Sequence, residues 1–329
     1  MLLFPAALAG CKKRGISASH RLIRVATTAQ PSLAPFYLAH ESGYFGAEGI
    51  YLEIEETRSG GGQVVPLIAG GAIDISFGPM NPATVNAVAK GARIRLVAGR
   101  EILSPGCSDY GAIYGHKRAF PNGFRDYREL KGKTIAVSRS TGSNAFVLDV
   151  LSESAGMAMG DVRLVSLPQS EAIAALKAGQ IHALVSQNFY GSDILAAFPE
   201  FIRHPGLVEQ MPGFQYSFVF FGARMLDAGE ELGGRFLRAY LRGAREFIQG
   251  RTPRFLEEFA RTNGLKRDYF EGRCRETYTA DGEIKLDSVR FYVDWAVRRG
   301  YVEHAVAIDK LFDHRFLDYA RRAGSARLP

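Results

Sequence analysis

Between residues 22 and 100 the chain alternates short apolar runs with loops of small and polar residues. Residues 23–26 read as a strand opening into such a loop, and apolar spacing over 36–42 predicts a helix that stops at Gly43. Over 50–55, Ile50, Leu52 and Ile54 alternate with Tyr51, Glu53 and Glu55, the pattern of a half-buried strand. That strand ends on Ser59-Gly60-Gly61-Gly62, ahead of a helix closing at Gly70-Gly71. A third strand, 73–77, delivers the chain to Gly78-Pro79-Met80-Asn81. In open α/β sheets, loops beyond the carboxyl ends of the strands are where ligands bind.

The pattern recurs. A strand over 134–137 leads into Ser138-Arg139-Ser140-Thr141-Gly142-Ser143-Asn144 and a helix over 145–154. A strand over 162–166 leads to Pro168-Gln169-Ser170 and a helix ending Leu176-Lys177-Ala178-Gly179, and a last strand, 181–185, opens onto Ser186-Gln187-Asn188-Phe189-Tyr190. Setting Leu67-Ile68-Ala69-Gly70 on Leu176-Lys177-Ala178-Gly179 gives an offset of 109 residues, and Ile23 on Ile135 gives 112. Two copies of one topology, with ligand loops at matching edges, predict two similar lobes and a cleft between them.

Ser104-Pro105-Gly106 breaks the periodicity ahead of a strand over 110–114, a candidate crossing from the first lobe to the second. The aromatic stretch 213–221, bounded by Gly222, is the candidate return. Beyond Glu230 the chain reads as helices over 232–249, 253–262, 286–299 and 305–323. These helices are expected to cover the first lobe, with the lone Trp295 packed in the core.

With 329 residues and 47% hydrophobic content, two lobes with cores of their own are possible. The net charge of +7 comes largely from arginines scattered along the late helices; no basic cluster with interleaved aromatics occurs, so no nucleic-acid partner is expected. The histidines are dispersed, and Asp309, Asp313 and His314 are expected to cap or pair at a surface; neither a metal nor a cofactor is assigned. Leu8-Ala9-Gly10-Cys11 has the form of a lipobox, in which small residues let a signal peptidase cut before a cysteine that carries lipid. Cys11 is therefore the expected membrane anchor, with 12–19 as a tether. Cys107 and Cys274 lie far apart and are expected to remain separate thiols in different lobes, where a bridge would hinder hinge motion.

Several segments together resemble a known family. They are Pro35-Phe36-Tyr37, Gly43-Tyr44-Phe45-Gly46-Ala47-Glu48-Gly49-Ile50, Leu67-x-x-Gly70-x-x-Ile73-Asp74, and Leu130-Lys131-Gly132-Lys133-Thr134-Ile135-Ala136-Val137 leading to Ser140-Thr141-Gly142-Ser143. Gly300-Tyr301-Val302 and Asp313-His314-Arg315-Phe316-Leu317 complete the set. Their order and spacing resemble the periplasmic substrate-binding proteins of ABC importers in the nitrate, sulfonate and taurine group, the SsuA/NMT1-like family. The resemblance implies an α/β, periplasmic-binding-protein type II bilobal fold with a hinge, a ligand cleft and C-terminal helices on lobe 1. Residues 1–20 would be signal peptide and tether, 21–103 the first part of lobe 1, 104–214 lobe 2, and 215–329 the return to lobe 1. It further implies a monomeric, non-enzymatic clamp outside the cytoplasm, lipid-anchored, that passes a small solute to ABC permease and ATPase subunits. Asp74 falls at the family's acidic position, where a structural hydrogen-bonding role is expected.

The loop ends give the candidate ligand-binding residues. Lobe 1 offers Gln30, Phe36, Ser59, Gly60, Gly61, Gly78, Met80 and Asn81; lobe 2 offers Ser138, Ser140, Thr141, Gly142, Ser143, Gln169, Asn188, Phe189 and Tyr190. Hydroxyls and free amides at the start of a helix suit a sulfonate, carboxylate or phosphate oxygen, although one of these hydroxyls capping the helix is the competing account. Aromatics at the loop ends suit instead a planar heterocycle such as a pyrimidine thiamine precursor or a flavin. A pyrimidine synthase on the same fold is a further alternative, against which stands the lack of that enzyme's cysteine-rich motif. A sensory binding module would keep the same cleft.

Overall fold

The computed structural model describes residues 22–57, 61–107, 111–137, 143–186, 192–263, 265–275, 277–303 and 306–325. The first part of the chain, residues 22–102, holds β1 (Leu22–Thr27), α1 (Ala34–Glu41), α2 (Tyr44–Ala47), β2 (Tyr51–Glu56), α3 (Val65–Ala69), β3 (Ile75–Pro79), α4 (Pro82–Ala89) and β4 (Arg95–Ile102). The second holds β5 (Ile113–His116), β6 (Thr134–Val137), α5 (Ser143–Ser154), β7 (Arg163–Ser166), α6 (Gln169–Lys177), β8 (Ala183–Val185), α7 (Ser192–Ala197), β9 (Phe201–His204) and α8 (Leu207–Gln210). The chain then returns through β10 (Gln215–Phe221) to α9 (Ala223–Asp227), α10 (Glu230–Ile248), α11 (Arg254–Thr262), α12 (Leu286–Arg298) and α13 (Arg315–Ser325).

Two five-stranded sheets result, ordered β2-β1-β3-β10-β4 and β7-β6-β8-β5-β9. In each, three strands of the local repeat run parallel, and one antiparallel strand joins them. That antiparallel strand follows a crossing from the other sheet: β5 after the outward crossing, β10 after the return. The aromatic stretch read as the return crossing is thus a central strand, buried at every position because both neighbours and both faces are covered. At the sheet edge β2 keeps the expected alternation, with Leu52 and Ile54 half-buried and Tyr51, Glu53 and Glu55 exposed. Charged side chains on an edge strand discourage pairing with another chain.

The pairing register also refines the repeat. Val25 pairs with Ile54 and Ile75, as Ile135 pairs with Leu164 and Ala183. The left-handed glycine that ends α3 is Gly71, and its counterpart after α6 is Gly179, so the two helices align one residue away from the match of Gly70 with Gly179.

Most of the late helices cover lobe 1. In α10, Gly243 leaves room for α1; a side chain there would meet the Pro35 carbonyl at 2.5 Å. Phe236 stacks on Phe45, and Phe316 of α13 packs on Phe221 of β10. Helix α12 differs: it touches β10 and α4 of lobe 1 and also reaches α5 of lobe 2. The helix expected over 305–323 is two pieces, because Leu311 and Asp313 bond to Leu96 and lie along β4 before α13 begins. Asp313 then receives the Arg315 amide and guanidinium, a capping and pairing role.

The cysteines depart from expectation. Cys107 and Cys274 form a disulfide, with Cα atoms 5.2 Å apart. The two do not lie in opposite lobes. The segment around Tyr278 runs beside β4, with the Ile102 amide bonded to the Thr277 carbonyl and the Thr279 amide to the Arg100 carbonyl. Cys274 is thereby carried to the end of β4, where Cys107 stands, and the bridge closes on lobe 1 without crossing the cleft.

Candidate ligand cleft

The carboxyl ends of the two sheets meet at a seam. Met80, just past β3, and Phe146, in the first turn of α5, line one small hollow together with Leu207 of lobe 2, Phe214 and Tyr216 of the return crossing, and Tyr292 of α12. Its walls are almost wholly apolar. Gln215 also borders it, but that amide is engaged: it reaches over Gly99 to donate to the Glu283 carbonyl and accept from the Lys285 amide. The crossing strand is thereby tied to the start of α12.

Lobe 1 supplies its rim as follows. Gln30 is exposed and follows Ala29, whose φ of 46° is a left-handed conformation that is uncommon outside glycine. Asn81 is half-buried, and its Oδ1 accepts the Thr84 amide at 2.9 Å, so it caps α4. Gly78 is half-buried, Met80 is buried against the seam, and Gly61 begins a single turn of 3-10 helix. A second small pocket, under the β3 loop, has Ser76, Gly78 and Asn81 among its lining residues. The Tyr37 hydroxyl bonds Thr27 and Glu56, fastening the ends of β1 and β2; burial raises its pKa, against the lowering bond from Thr27.

Phe36 does not line this rim. It is fully buried between Phe45 and Phe77, because it lies on the sheet-facing side of α1; it is a core residue of lobe 1. Of the lobe 2 residues, Gln169 opens α6 and is half-buried, and Ser143 opens α5. Ser59, Gly60, Ser138, Ser140, Thr141, Gly142, Asn188, Phe189 and Tyr190 lie outside the described residues, as does Cys11. Asp74 sits at the opposite end of β3 from the rim, accepting the Arg24 amide and pairing with Arg224.

Two groups at the rim gave no sequence signal. Arg100 and Glu101 close β4, both side chains 2% exposed, with Nη2 and Oε2 3.6 Å apart. Adjacent strand residues ordinarily face opposite ways; here the β4–β10 register shifts between Ser217 and Phe218, and both side chains turn toward Ser217. Arg100 also donates to the Ser32 carbonyl at 2.6 Å and lies over the Phe77 ring, so it holds the loop after β1 from beneath. Burial pushes the Glu101 carboxyl up from its ordinary value, opposed by Arg100 and by Ser217. A strand reading RLVAGREI conceals this, because only the register shows the bulge.

Across the seam, α5 and α12 are joined by a buried carboxylate. Asp149 accepts the Trp295 indole N–H at 2.7 Å and a two-pronged contact from Arg299. The Trp295 ring packs edge-on to Phe146, 4.9 Å between centroids. Trp295 is thus a core residue, as expected, and also a polar contact between lobes.

Comparison with known proteins agrees with this architecture. The model of the NMT1/THI5-like family matches residues 30–250. Among solved structures, the periplasmic sulfonate-binding protein SsuA from Methylobacillus flagellatus KT superimposes with a TM-score of 0.71 at 16% identity, over 93% of this chain and 95% of that one. The periplasmic aliphatic sulphonate binding protein SsuA from Escherichia coli gives 0.69 at 15% identity, over 89% and 92%. An enzyme is similar too: the desulfurization enzyme DSZB gives 0.65 at 15% identity, over 92% and 99%. No curated protein matches the sequence significantly. The two sheets have the periplasmic-binding-protein fold, and with two thirds of its length matched the chain belongs to the NMT1/THI5-like family.

Proposed function

We propose that the protein is the solute-binding component of an ABC importer, lipid-anchored outside the cytoplasm through Cys11, which closes its two lobes on a small organic anion of the sulfonate, nitrate or carboxylate kind. The observation that carries this reading is the seam itself: the loop after β3 and the first turn of α5 converge there from separate sheets. A solute touching both edges stabilises the closed arrangement by its differential affinity, and a permease can read that state. The sulfonate-binding neighbours support the class of solute. The Cys107–Cys274 bridge supports an oxidising compartment. Among the described residues both cysteines are engaged in this bridge, so neither offers a thiol nucleophile there, which favours binding over thiol chemistry in the described part of the chain.

In this reading Ser138, Ser140, Thr141, Gly142 and Ser143 receive the anionic head at the start of α5, where unsatisfied amides favour negative charge. Gln30, Asn81, Gln169 and Asn188 supply further polar contacts. A thermal-shift panel of sulfonates, nitrate, carboxylates, pyrimidines and flavins tests the class, because a ligand of the folded state raises Tm by mass action. The expected hit is a sulfonate or carboxylate, whose shift is lost in the Thr141→Ala, Ser143→Ala double variant while unfolding stays cooperative. A hit confined to pyrimidines or flavins would replace the anion reading with the heterocycle one.

A further inference from the structure

We infer that Arg100 is the positioning residue of lobe 1's binding edge: its buried guanidinium holds the loop after β1 in the turn that presents Gln30 to the cleft. The inference rests on the solute-binding reading above and names a residue that acts on the solute through another. Three observations carry it. The first is reach. From β4, Arg100 donates through Nη1 to the Ser217 hydroxyl of β10 at 2.8 Å and through Nη2 to the Ser32 carbonyl at 2.6 Å, with its central carbon 5.3 Å from the centre of the Phe77 ring of β3. One side chain thus spans β10 and β3 to reach the loop after β1.

The second is what that loop requires. Among the described residues Ala29 is the one other than glycine with positive φ, at 46°, a conformation that persists only where the surroundings fix it. The fixing contacts follow directly. The Leu33 amide closes a turn on the Gln30 carbonyl, Arg100 holds the Ser32 carbonyl, and the Tyr278 hydroxyl approaches the Pro31 carbonyl at 3.5 Å. Gln30, between Ala29 and this turn, stays exposed. The third is cost. The charged groups of Arg100 and Glu101 are enclosed and 3.6 Å apart, yet Nε of Arg100 and Oε1 of Glu101 have no hydrogen-bond partner among the described residues. A buried pair matched so incompletely adds little to stability, and well-packed apolar residues in its place often add more. The loop it holds accounts for a pair that the fold of lobe 1 does not need.

The test compares the full wild-type chain with the Arg100→Met, Glu101→Leu double variant, in which the buried pair becomes apolar. Its Tm is expected to stay level or rise. Hydrogen exchange at the amides of residues 29–34 should quicken, and calorimetric affinity for methanesulfonate, acetate and nitrate should fall about tenfold, as a loop in its turn one time in ten would give. Adding Ala29→Gly should recover part of that loss, because glycine adopts the left-handed turn without being held. Glu101→Gln alone should leave the exchange slow, since the hold belongs to Arg100. Should the double variant unfold, Arg100→Lys puts the same question: it keeps the charge beside Glu101 but cannot grip Ser217 and the Ser32 carbonyl together. A fall in Tm with exchange and affinity unchanged makes the pair a stabilising element only and overturns the inference. Affinity lost without faster exchange in the loop overturns it too, as does fast exchange in Glu101→Gln. If none of the three anions binds the wild-type chain, the anion reading fails on its own, and the exchange measurements still decide whether Arg100 holds the loop.

Discussion

The two lobes share a strand order but are secured differently. In lobe 1 the antiparallel strand and its outer neighbour, β10 and β4, are seven and eight residues long; their lobe 2 counterparts, β5 and β9, have four each. Lobe 1 adds the nineteen-residue α10, with α1 and α13 packed on it, and a disulfide at the end of β4. Lobe 2 has shorter ladders, and α5, at its seam face, is held in part from outside, by Trp295 of α12 and Arg299 just past its end on Asp149. Duplicated topology therefore does not produce duplicated stability. One lobe carries its own supports, and the other borrows one from its partner, at the helix that also faces the seam.

The sharpest way to break this contrast is to remove the staple of the self-supported lobe. The Cys107→Ser, Cys274→Ser double variant should lose about 4–5 kcal/mol of unfolding free energy, because the bridge closes a very long loop of the unfolded chain. Urea denaturation without reductant measures it, and solute affinity should change little because the bridge lies on lobe 1. A loss under about 1 kcal/mol would mean that β4 and its neighbours hold that edge without help.

The borrowed support is tested next. Asp149→Ala leaves the buried Trp295 indole N–H without an acceptor, at a cost of about 2–3 kcal/mol. Arg299 adds little to that figure, since its side chain is 32% exposed and can turn to water. Trp295 is the chain's only tryptophan, so its fluorescence reports the seam directly. The variant should change that emission and weaken solute binding, since α5 then lacks its outer brace. Unchanged emission, with stability lost, would place the effect within lobe 2 alone.

Much of the fold was legible because it is written in local patterns. The alternation in β2, the apolar run of β6 and the glycine stops at Gly43 and Gly179 each follow from neighbours in sequence. What was not legible depends on contacts between distant segments. The disulfide required knowing that the chain near Tyr278 lies along β4, and the Arg100–Glu101 pair required the bulge opposite Ser217. Phe36 shows the converse hazard: a ring beside a ligand loop in sequence turned inward, because α1 faces its aromatic side to the sheet. At the rim, Gln30, Gly78, Met80 and Asn81 lie at strand ends as the loop pattern implied, yet their separate tasks, one capping α4 and another lining the seam, come only from the packed structure.

Asn81 gives the smallest effect and the finest distinction between the lobes. Its side chain already caps α4, so Asn81→Ala should cost about 1 kcal/mol whether or not a solute is present. If Asn81 serves as a cap alone, Asn81→Asp and Asn81→Ser, which cap equally well, restore both stability and solute affinity. If its amide also meets the solute, Asn81→Asp restores stability but lowers affinity for an anion through like charge, while Asn81→Ser does so less. Parallel melting and calorimetry on the three variants separate these outcomes. A matched recovery in all measurements would remove Asn81 from the polar contacts to the solute and leave Gln30 as the polar side chain that lobe 1 offers it.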